Sequence, residues 1–363
     1  MTTYFYILQI KSLQNLTKMK KTILIFLGVF ALTLNTKAQD GFEAILLADK
    51  NDSKKLMEAY FGPAMEGFIN AMNNGWYHTA KVHKPFGFDL SVGLNASLVP
   101  TEKELFNISA LGLASVSSSS TEASTFAGPS NTTQMTVNTT INGESASATF
   151  DFPGGATEDL PLNAVPAPMA QLNVGLPWKF EAMVRFVPEI SIGEDDGSVK
   201  MLGLGLKKEI TDWFGPLDKT PLHVSLLASY TTMDVVYGIA DVNSANLQVT
   251  NALTEFNLTA FTAQAIASLN FPIINLYGGV GYNSGTSTYN MSGTYTGTYD
   301  TGLPAPNDTV SKTLTIPDTL DFESSGFNAT AGARLSLGFL KIFGSYSFQE
   351  YNTASLGVAI SIR

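Results

Sequence analysis

Cysteine is absent from this sequence of 363 residues, and charged side chains are scarce at 14% of the chain. The lack of cysteine excludes disulfides and thiolate metal sites. The three histidines, His78, His83 and His223, include no pair at the spacing of a metal site on a helix. A surface or structural role is predicted for each of them, and no metal ion or other cofactor is expected.

Basic residues are outnumbered by acidic ones, 21 to 31 over the whole chain. Five of the basic residues lie in the first 39 positions, where no acidic residue occurs. The rest of the chain is therefore more acidic than the full-length net charge of −10 indicates, and it has no cluster of Lys and Arg. Nucleic acid is not expected as a partner of such a chain.

Long apolar runs are also missing, apart from one near the N-terminus. Met19 begins a short basic region that is followed by an apolar stretch over 22–34 and a small-residue exit at Ala38. This is the pattern of a secretory signal peptide, since a membrane-spanning helix needs about 20 apolar residues. Residues 1–39 are predicted to be a signal peptide with an upstream extension, and translation starts at Met1 or Met19.

Residues 40–75 are the helical part of the mature chain. Asp52 or Ser53 can cap a first helix, the pair 62–63 (Gly-Pro) interrupts it, and the Asn-Asn-Gly at 73–75 ends a second one. Two short amphipathic helices are predicted. Their apolar positions are Leu56, Tyr60, Phe61, Met65, Phe68 and Met72.

From about residue 76 onward, apolar and polar residues alternate with a period of two. One face is apolar throughout in 180–192, and the same split recurs in 222–230, 327–339 and 355–363. These runs exceed the roughly 5–6 residues of an ordinary soluble strand. They match the roughly 9–11 residues of a tilted membrane strand, so the apolar faces are predicted to meet lipid.

The connections alternate between short turns and long polar loops, of which the longest are 115–166, 232–254 and 284–325. Short turns at one rim and long loops at the other are typical of outer-membrane barrels. Eleven strands are predicted, beginning near residues 86, 103, 167, 178, 198, 221, 254, 272, 326, 340 and 354. Because such barrels normally have an even number of strands, the expected count is about 12, with 14 as the alternative. The missing strand is placed at 76–83 or inside 115–166.

The predicted fold of residues 76–363 is therefore an all-β, transmembrane, antiparallel β-barrel in the outer membrane. Aromatic residues near the strand ends fit two interfacial girdles. Those at the short-turn rim are Trp178, Trp213, Phe214, Phe271 and Phe339. Those toward the other rim are Tyr230, Tyr282, Phe348 and Tyr351.

Side chains opposite the apolar faces are predicted to line the lumen and to contact any ligand. They are Lys179, Glu181, Met183, Arg185, Val187, Glu189, Arg334 and Phe343. Eight strands already close around side chains alone, so a barrel of about 12 has space to fill. The hypothesis is that residues 40–75 plug it from the periplasmic side.

Several motifs invite an enzymatic or nucleotide-binding interpretation. The glycine runs at 202–206 and 278–285 lie inside strand patterns, whereas a nucleotide fingerprint needs a strand, a turn and a helix. The acidic triplet 194–196 stands beside a glycine, where turn chemistry explains it better than calcium. His223 and Ser225 share one strand face about 7 Å apart, too far for a nucleophile and its base. No enzyme is predicted.

The signal peptide ending in KAQ, the helical segment leading into NNGWYHTAKVHKPFGFDLSVGLNASLVP and the alternating strands resemble the uncharacterised outer-membrane barrel proteins of Bacteroidota. More distantly, the architecture is similar to the FadL-type long-chain fatty-acid transporters, whose N-terminal segment forms a hatch inside a 14-strand barrel. The FadL-type N-terminal sequence is not matched residue by residue, so no binding residue is carried over.

Two functions follow from these expectations. The first is a passive channel or transporter for small hydrophobic or amphipathic molecules, gated by the helical plug. The alternative is a structural or surface-interaction barrel that acts through its long extracellular loops. Outer-membrane lipid and the machinery that assembles outer-membrane barrels are the expected partners, together with a small hydrophobic ligand in the first case.

Overall fold

The computed structural model describes residues 41–156, 164–192 and 197–362. The predicted signal peptide and the acidic triplet 194–196 lie outside the described residues. Among the described helices, none combines the length and the apolar character that a transmembrane helix requires.

Ten antiparallel strands form a closed ring, in which each strand pairs with the next one in sequence and the last pairs with the first. This ring confirms the predicted fold class, an all-β antiparallel barrel. Its strands are β1 (Phe88–Leu98), β2 (Ala164–Leu176), β3 (Phe180–Ile192), β4 (Gly197–Glu209), β5 (Leu222–Ile239), β6 (Leu247–Asn270), β7 (Ile274–Asp300), β8 (Leu320–Leu337), β9 (Leu340–Phe348) and β10 (Thr353–Ile362).

The predicted strand count of 12 or 14 is corrected to ten. The segment near residue 103 forms a 3-10 turn and a three-residue strand, Leu105–Asn107, which pairs with Glu122–Ser124 outside the ring. Residues 76–83 form no strand, because their backbone bonds to side chains of the barrel wall. A hairpin does exist inside 115–166, at Thr133–Ile141 and Glu144–Phe152, but it projects from the rim.

The two rims differ as predicted, but the predicted loops 232–254 and 284–325 are largely strand, because β5 and β6 leave only 240–246 between them and β7 runs to Asp300. One rim carries the turns 177–179, 210–221, 271–273 and 338–339, together with the start of β1 and the end of β10. The other rim carries the 65-residue connection between β1 and β2 and the connection between β7 and β8. Since outer-membrane barrels turn tightly on the periplasmic side, the first rim is the periplasmic rim and the second is the extracellular rim.

An exposed apolar band surrounds the periplasmic part of the barrel. On β7 it runs from Ile274 to Tyr282, and on β8 from Phe327 to Leu337. These spans match the roughly 9–11 residues that a tilted strand needs to cross a membrane. Because β6 and β7 contain 24 and 27 residues, their extracellular ends reach far beyond the lipid.

The long connection after β1 folds over the extracellular rim, and residues 99–156 are called the extracellular cap below. The cap contains the projecting hairpin, whose first strand also pairs with Val116–Ser117. A further short strand, Thr309–Thr313, pairs with the end of β7. The extracellular end of the molecule is therefore built of β structure as well as loops.

The N-terminal helical segment contains a 3-10 helix, Phe42–Leu47, and one α-helix, α1 (Lys50–Asn73). Asp49 caps α1 by accepting hydrogen bonds from two backbone N–H groups of the first turn. The predicted caps Asp52 and Ser53 lie inside the helix, and the predicted break at Gly62-Pro63 does not occur. The Tyr60 carbonyl, just before Pro63, accepts a bond from the Phe126 N–H of the cap at 2.8 Å. The helix stops at Asn73 as expected, with Gly75 at a φ of 72°.

Candidate functional site: the occupied lumen

Residues 41–87 are called the lumen segment below. Most of them lie inside the barrel, and the exposed residues are 49–51 at the extracellular end and 84–86 at the periplasmic rim. Helix α1 packs against strands on several sides, including β7, β8, β2, β1 and β6. Its N-terminal end lies beneath the extracellular cap, and the extended residues 74–87 continue to the periplasmic rim. The chain therefore runs down the lumen before it enters β1.

The extracellular half of the lumen is an apolar core around α1. Its aromatic rings meet edge to face, as Tyr60 does with Phe126 and Phe152 at 5.9 and 5.5 Å between ring centres. The buried apolar side chains that α1 contributes are Leu56, Met57, Tyr60, Phe61, Ala64, Met65, Ile69 and Met72. Strands and cap close around them, so this half is packed like the interior of a soluble domain.

Asp52 ties α1 to the cap. Its carboxylate accepts hydrogen bonds from the N–H groups of Ala114 and Ser115 at 2.9 and 2.6 Å, and from the Ser115 hydroxyl at 2.8 Å. Burial favours the neutral acid, but the Ser115 and Ala114 N–H groups outweigh it and hold the pKa of Asp52 below its ordinary value. The first turn of the helix is thereby fixed to the loop above it.

Lys103 of the cap makes a second attachment. Its Nζ lies 2.5 Å from Glu66 Oε2 on α1 and 2.7 Å from Glu350 Oε1 in the connection between β9 and β10. Tyr351 donates its hydroxyl to Glu66 at 2.7 Å. Burial disfavours the charge on Lys103, yet the two carboxylates raise its pKa above the ordinary value. Cap, helix and rim meet at this ion pair.

At the periplasmic end of α1, the polar chemistry begins with Arg185 of β3. Its guanidinium is 1% exposed and donates to the carbonyls of Met72 and Asn74 at 2.9 and 3.0 Å. A cation at this position also complements the negative end of the helix dipole. The guanidinium lies 4.1 Å from the ring centre of Trp76, in cation–π geometry.

Residues 72–83 of the lumen segment are hydrogen-bonded to all ten strands of the barrel. Most of these bonds join a backbone atom of the segment to a polar side chain of the wall. The strand partners, from β1 to β10, are Asn95, Gln171, Arg185, Lys207, Ser225, Ser268, Ser284, Arg334, Ser347 and Ser361. An extended chain has no hydrogen bonds of its own, so the wall supplies what the backbone needs.

A chain of ionisable side chains runs through the same region. Lys207 Nζ lies 2.6 Å from Glu181, whose other oxygen lies 2.7 Å from His83 Nδ1. Asp89 continues the chain at 3.5 Å from His83 and 3.2 Å from His78. His78 in turn is 2.8 Å from Arg334. All six side chains are at most 5% exposed, which a buried charge tolerates only when it is paired.

Two wall glycines explain how the largest side chain of the lumen segment fits. A Cβ atom at Gly203 or Gly205 would lie 3.0 Å from the Trp76 ring. Both glycines belong to the LGLGL run, which lies within strand β4. The missing side chains leave room for the indole ring of Trp76.

A family model described as "Family of unknown function (DUF6588)" matches residues 19–362. The chain belongs to this family. No match was found among curated proteins.

Solved structures similar to this DUF6588 protein are outer-membrane proteins. One is Ail, the attachment invasion locus protein of Yersinia pestis, in complex with the heparin analogue sucrose octasulfate. Its sequence is 8% identical, the similarity covers 77% of this chain and 98% of that chain, and the TM-score is 0.26. Another is the translocator domain of autotransporter NalP from Neisseria meningitidis, at 12% identity, 77% and 90% coverage and a TM-score of 0.26. The fold assignment rests on the chain's own strand ring.

Of the eight predicted lumen residues in this DUF6588 protein, six face the interior and are at most 3% exposed: Glu181, Met183, Arg185, Val187, Arg334 and Phe343. Two predictions are wrong. Lys179 lies in the periplasmic turn, exposed and 2.5 Å from Asp212. Glu189 is exposed because a β-bulge between Val187 and Ile190 shifts the alternation and turns Ile190 inward.

The six predicted plug residues of α1 lie inside the barrel: Leu56, Tyr60, Phe61, Met65, Phe68 and Met72. The hypothesis of a plug on the periplasmic side accounts for only part of their position, because α1 begins beneath the extracellular cap. Most predicted girdle aromatics are exposed, but Tyr351 is fully buried against Glu66.

Five further residues of the lumen were not predicted to lie there: Trp76, His78, His83, Asp89 and Lys207. For the two histidines only a surface or structural role was predicted. The signal that could have found Trp76, His78 and His83 is the density of polar and aromatic residues in 74–83, a stretch with no clean alternation. Asp89 and Lys207 lie on strands β1 and β4. His223 and Ser225 have separate partners: His223 Nδ1 lies 2.7 Å from Glu209, and Ser225 donates to the Ala80 carbonyl. Within the described residues, no group of three or more His, Asp or Glu side chains is placed to hold a metal ion.

Proposed function

We propose that this protein is a closed outer-membrane barrel that acts through its extracellular face. One observation carries the proposal: residues 72–83 of the lumen segment are hydrogen-bonded to all ten strands. A segment held in this way is part of the barrel's core, so the wall and its filling form one folded unit.

The energy needed to open the lumen supports the same proposal. Helix α1 buries seven large apolar side chains among the wall and cap residues. At roughly 1.5–3 kcal/mol for each, exposing them to water costs on the order of 10–20 kcal/mol. Passive withdrawal of α1 would therefore be rare, and a channel gated by that movement would stay closed.

The extracellular face offers the chemistry for an interaction. In the described connections at this rim only Lys103 and Lys312 are basic. The acidic residues there are Glu102, Glu104, Glu122, Glu144, Asp151, Asp241, Asp308, Asp318 and Glu350. A hydroxyl-rich groove of about 560 Å³ lies between the projecting hairpin and residues 300–302. Such a surface favours a partner with positive charge and makes its association rate sensitive to salt.

Transport of a small hydrophobic or amphipathic molecule is the second candidate. It is favoured by the methionines of the apolar half, such as Met57, Met65 and Met233, because methionine adapts to varied apolar shapes. The architectural resemblance to FadL-type transporters points the same way. This candidate requires the lumen segment to move.

Two measurements separate the candidates. The chain lacks cysteine, so Met65→Cys places a single thiol in the lumen and Glu144→Cys places one on the projecting hairpin as a control. On whole cells, an impermeant maleimide should label Glu144→Cys and leave Met65→Cys unlabelled. The wild-type protein in planar bilayers should show no conductance steps. Labelling of Met65→Cys, or steady conductance, would support transport and contradict the closed barrel.

A further inference from the structure

The two buried histidines of the lumen segment, His78 and His83, face different chemistry. Both are at most 5% exposed. Nδ1 of His78 lies 2.8 Å from Nη1 of Arg334, and Nε2 lies 3.2 Å from Oδ2 of Asp89. A guanidinium only donates hydrogen bonds, and an ionised carboxylate only accepts them. His78 therefore accepts at Nδ1 and donates from Nε2, which defines a neutral imidazole with its proton on Nε2.

The contact with Arg334 and a second proton on His78 exclude each other, because both need the lone pair of Nδ1. A protonated His78 would direct an N–H group at the guanidinium N–H, 2.8 Å away and 3% exposed. Asp89 would attract an imidazolium, but it already faces Nε2 on the other side of the ring. Two cations in contact inside a protein are strongly unfavourable. Protonation must therefore break a bond that ties the lumen segment to β8.

His83 provides the contrast on the same segment. Its Nδ1 lies 2.7 Å from Glu181 Oε2, and its Nε2 lies 3.2 Å from the Ser361 hydroxyl and 3.5 Å from Asp89 Oδ2. Carboxylate and hydroxyl oxygens both accept hydrogen bonds. A proton on each ring nitrogen is thus compatible with every one of these contacts. Of the two histidines, His78 is the one with a contact that acid must break.

The ionisable groups packed around His78 come from several strands. They are Asp89 of β1, Glu181 of β3, Lys207 of β4, Tyr277 of β7 and Arg334 of β8. Strand β9 covers the imidazole with the ring of Phe343, 4.7 Å between ring centres. Carboxylic acids ordinarily titrate near pH 4, and tyrosine, lysine and arginine at about pH 10 or above. Histidine is the side chain of this set that ordinarily titrates in mild acid.

We propose that His78 is an acid-sensitive latch between the lumen segment and the barrel wall. Near neutral pH, the neutral imidazole is held between Arg334 and Asp89. In mild acid it takes up a proton and releases Arg334, and residues 74–83 loosen. The apolar packing of α1 contains no part of the latch and stays in place.

Protons can reach this latch from the periplasm. A cavity of about 520 Å³ opens at the periplasmic mouth, and its lining includes Lys81, Arg334 and Lys341. A histidine released into water has a pKa of about 6.5. Because the native state keeps His78 neutral, the latch is stable above about pH 6.5 and weakens as the pH falls below that value. It lies at the opposite end of the lumen from the extracellular face, so it is independent of the function proposed above.

The protonation states can be read by nitrogen-15 NMR of the histidine-labelled full chain in detergent micelles. The sequence has three histidines, and single substitutions to Gln assign their signals. At about pH 7.5, His78 should show one protonated and one unprotonated ring nitrogen, with the proton on Nε2. An imidazolium at His78, or a proton on Nδ1 alone, would overturn the proposal.

Hydrogen exchange of residues 74–83 measures the loosening, as protection factors relative to free peptide at the same pH. Release coupled to one proton lowers protection by about tenfold per pH unit below about 6.5. His78→Gln should abolish this fall, since Gln can accept from Arg334 and donate to Asp89 without taking up a proton. His83→Gln, which keeps the latch, is the matched control and should retain the fall. Residues 56–69 of α1 should keep their protection throughout.

The proposal is overturned if His78→Gln and the wild type lose protection equally in mild acid, or if His83→Gln is the variant that abolishes the loss. Heat-modified gel mobility shows whether each variant is folded. If His78→Gln does not fold, the wild-type titration decides. Its His78 signal must then convert to an imidazolium over the same pH range in which protection falls, and conversion without loss of protection overturns the latch.

Discussion

The lumen of this barrel is filled by one segment whose two halves are held by different chemistry. In the extracellular half, α1 presents apolar side chains to an apolar surround. In the periplasmic half, the extended residues 74–83 present backbone atoms to polar and charged side chains of the wall. A helix satisfies its own backbone and can be wrapped in apolar residues, whereas an extended chain cannot.

This contrast indicates which half of the lumen segment depends on specific side-chain partners. Apolar packing tolerates exchange of side chains of similar volume, so the extracellular half fixes the helix mainly by shape. The periplasmic half requires each polar group to find its own partner, and an error leaves a buried group unsatisfied. We therefore expect substitutions in the periplasmic half to cost more than those in the extracellular half.

The largest effect is expected for Glu181→Gln. The substitution leaves Lys207, 2.6 Å away and 2% exposed, without its buried anion, which typically costs about 3–5 kcal/mol of unfolding free energy. Guanidinium unfolding in detergent, followed by intrinsic tryptophan fluorescence, to which the buried Trp76 contributes, measures the loss. The double variant Glu181→Gln/Lys207→Gln should recover part of it. If the double variant loses as much as the two single losses added together, the ion pair is not what holds this half.

Next comes Met65→Ala in the apolar half. Met65 is 5% exposed, and its truncation is expected to cost about 2–3 kcal/mol, because neighbouring flexible side chains fill part of the cavity. Leu356→Ala is the control: this residue is 69% exposed on the lipid face of β10, where lipid replaces the lost contacts. Equal losses for the two variants would mean that α1 is not packed as described.

A smaller, local effect is expected for Asp52→Asn. Losing the carboxylate that binds the Ala114 and Ser115 N–H groups should cost about 1–2 kcal/mol and make residues 99–131 easier to cleave by protease. Since the pKa of Asp52 lies below its ordinary value of 3.8, this stabilisation is present above that pH and is lost as pH falls through the lower native pKa. Wild-type cleavage that rises already near pH 6 would contradict this assignment.

The smallest effect is expected for Lys50→Gln. Lys50 pairs with Asp318 at 2.8 Å, but both side chains are well exposed, and such pairs contribute little. No measurable change in the unfolding midpoint is expected. Lys103→Gln is the matched comparison, because Lys103 is more buried and contacts two carboxylates and the Tyr351 ring. It should lower stability more than Lys50→Gln, and the reverse order would show that the cap is not fastened there.

Much of the barrel could be predicted from the sequence. Ten of the eleven predicted strand starts correspond to β1 to β10. Eight of them lie within three residues of the observed start, whereas those at 254 and 326 lie seven and six residues after the starts of β6 and β8. The alternation succeeds because one face of each strand meets lipid. The alternation gave a wrong strand near residue 103, where the pattern was short. It also gave the wrong face for Glu189, because a β-bulge with no local sequence signal exchanges the inward and outward positions after Val187.

The lumen could be predicted only in part. The inward position of Arg185 follows from the period of its own strand. Its bonds to Met72 and Asn74, more than a hundred residues away, depend on how far α1 extends along the lumen toward the periplasmic rim. Nothing local to Gly203 or Gly205 indicates that they make room for Trp76.

By itself, the amino-acid sequence determined that the chain forms long two-faced strands, a helical segment before them, and short turns opposite long loops. These are local properties, set by periodicity, capping and chain length. Only the tertiary structure decided that the ring closes at ten strands, that α1 remains one helix through Pro63, and that the chain fills its own lumen. Ring closure and backbone pairing join residues far apart in sequence, and their free energy depends on the whole assembly.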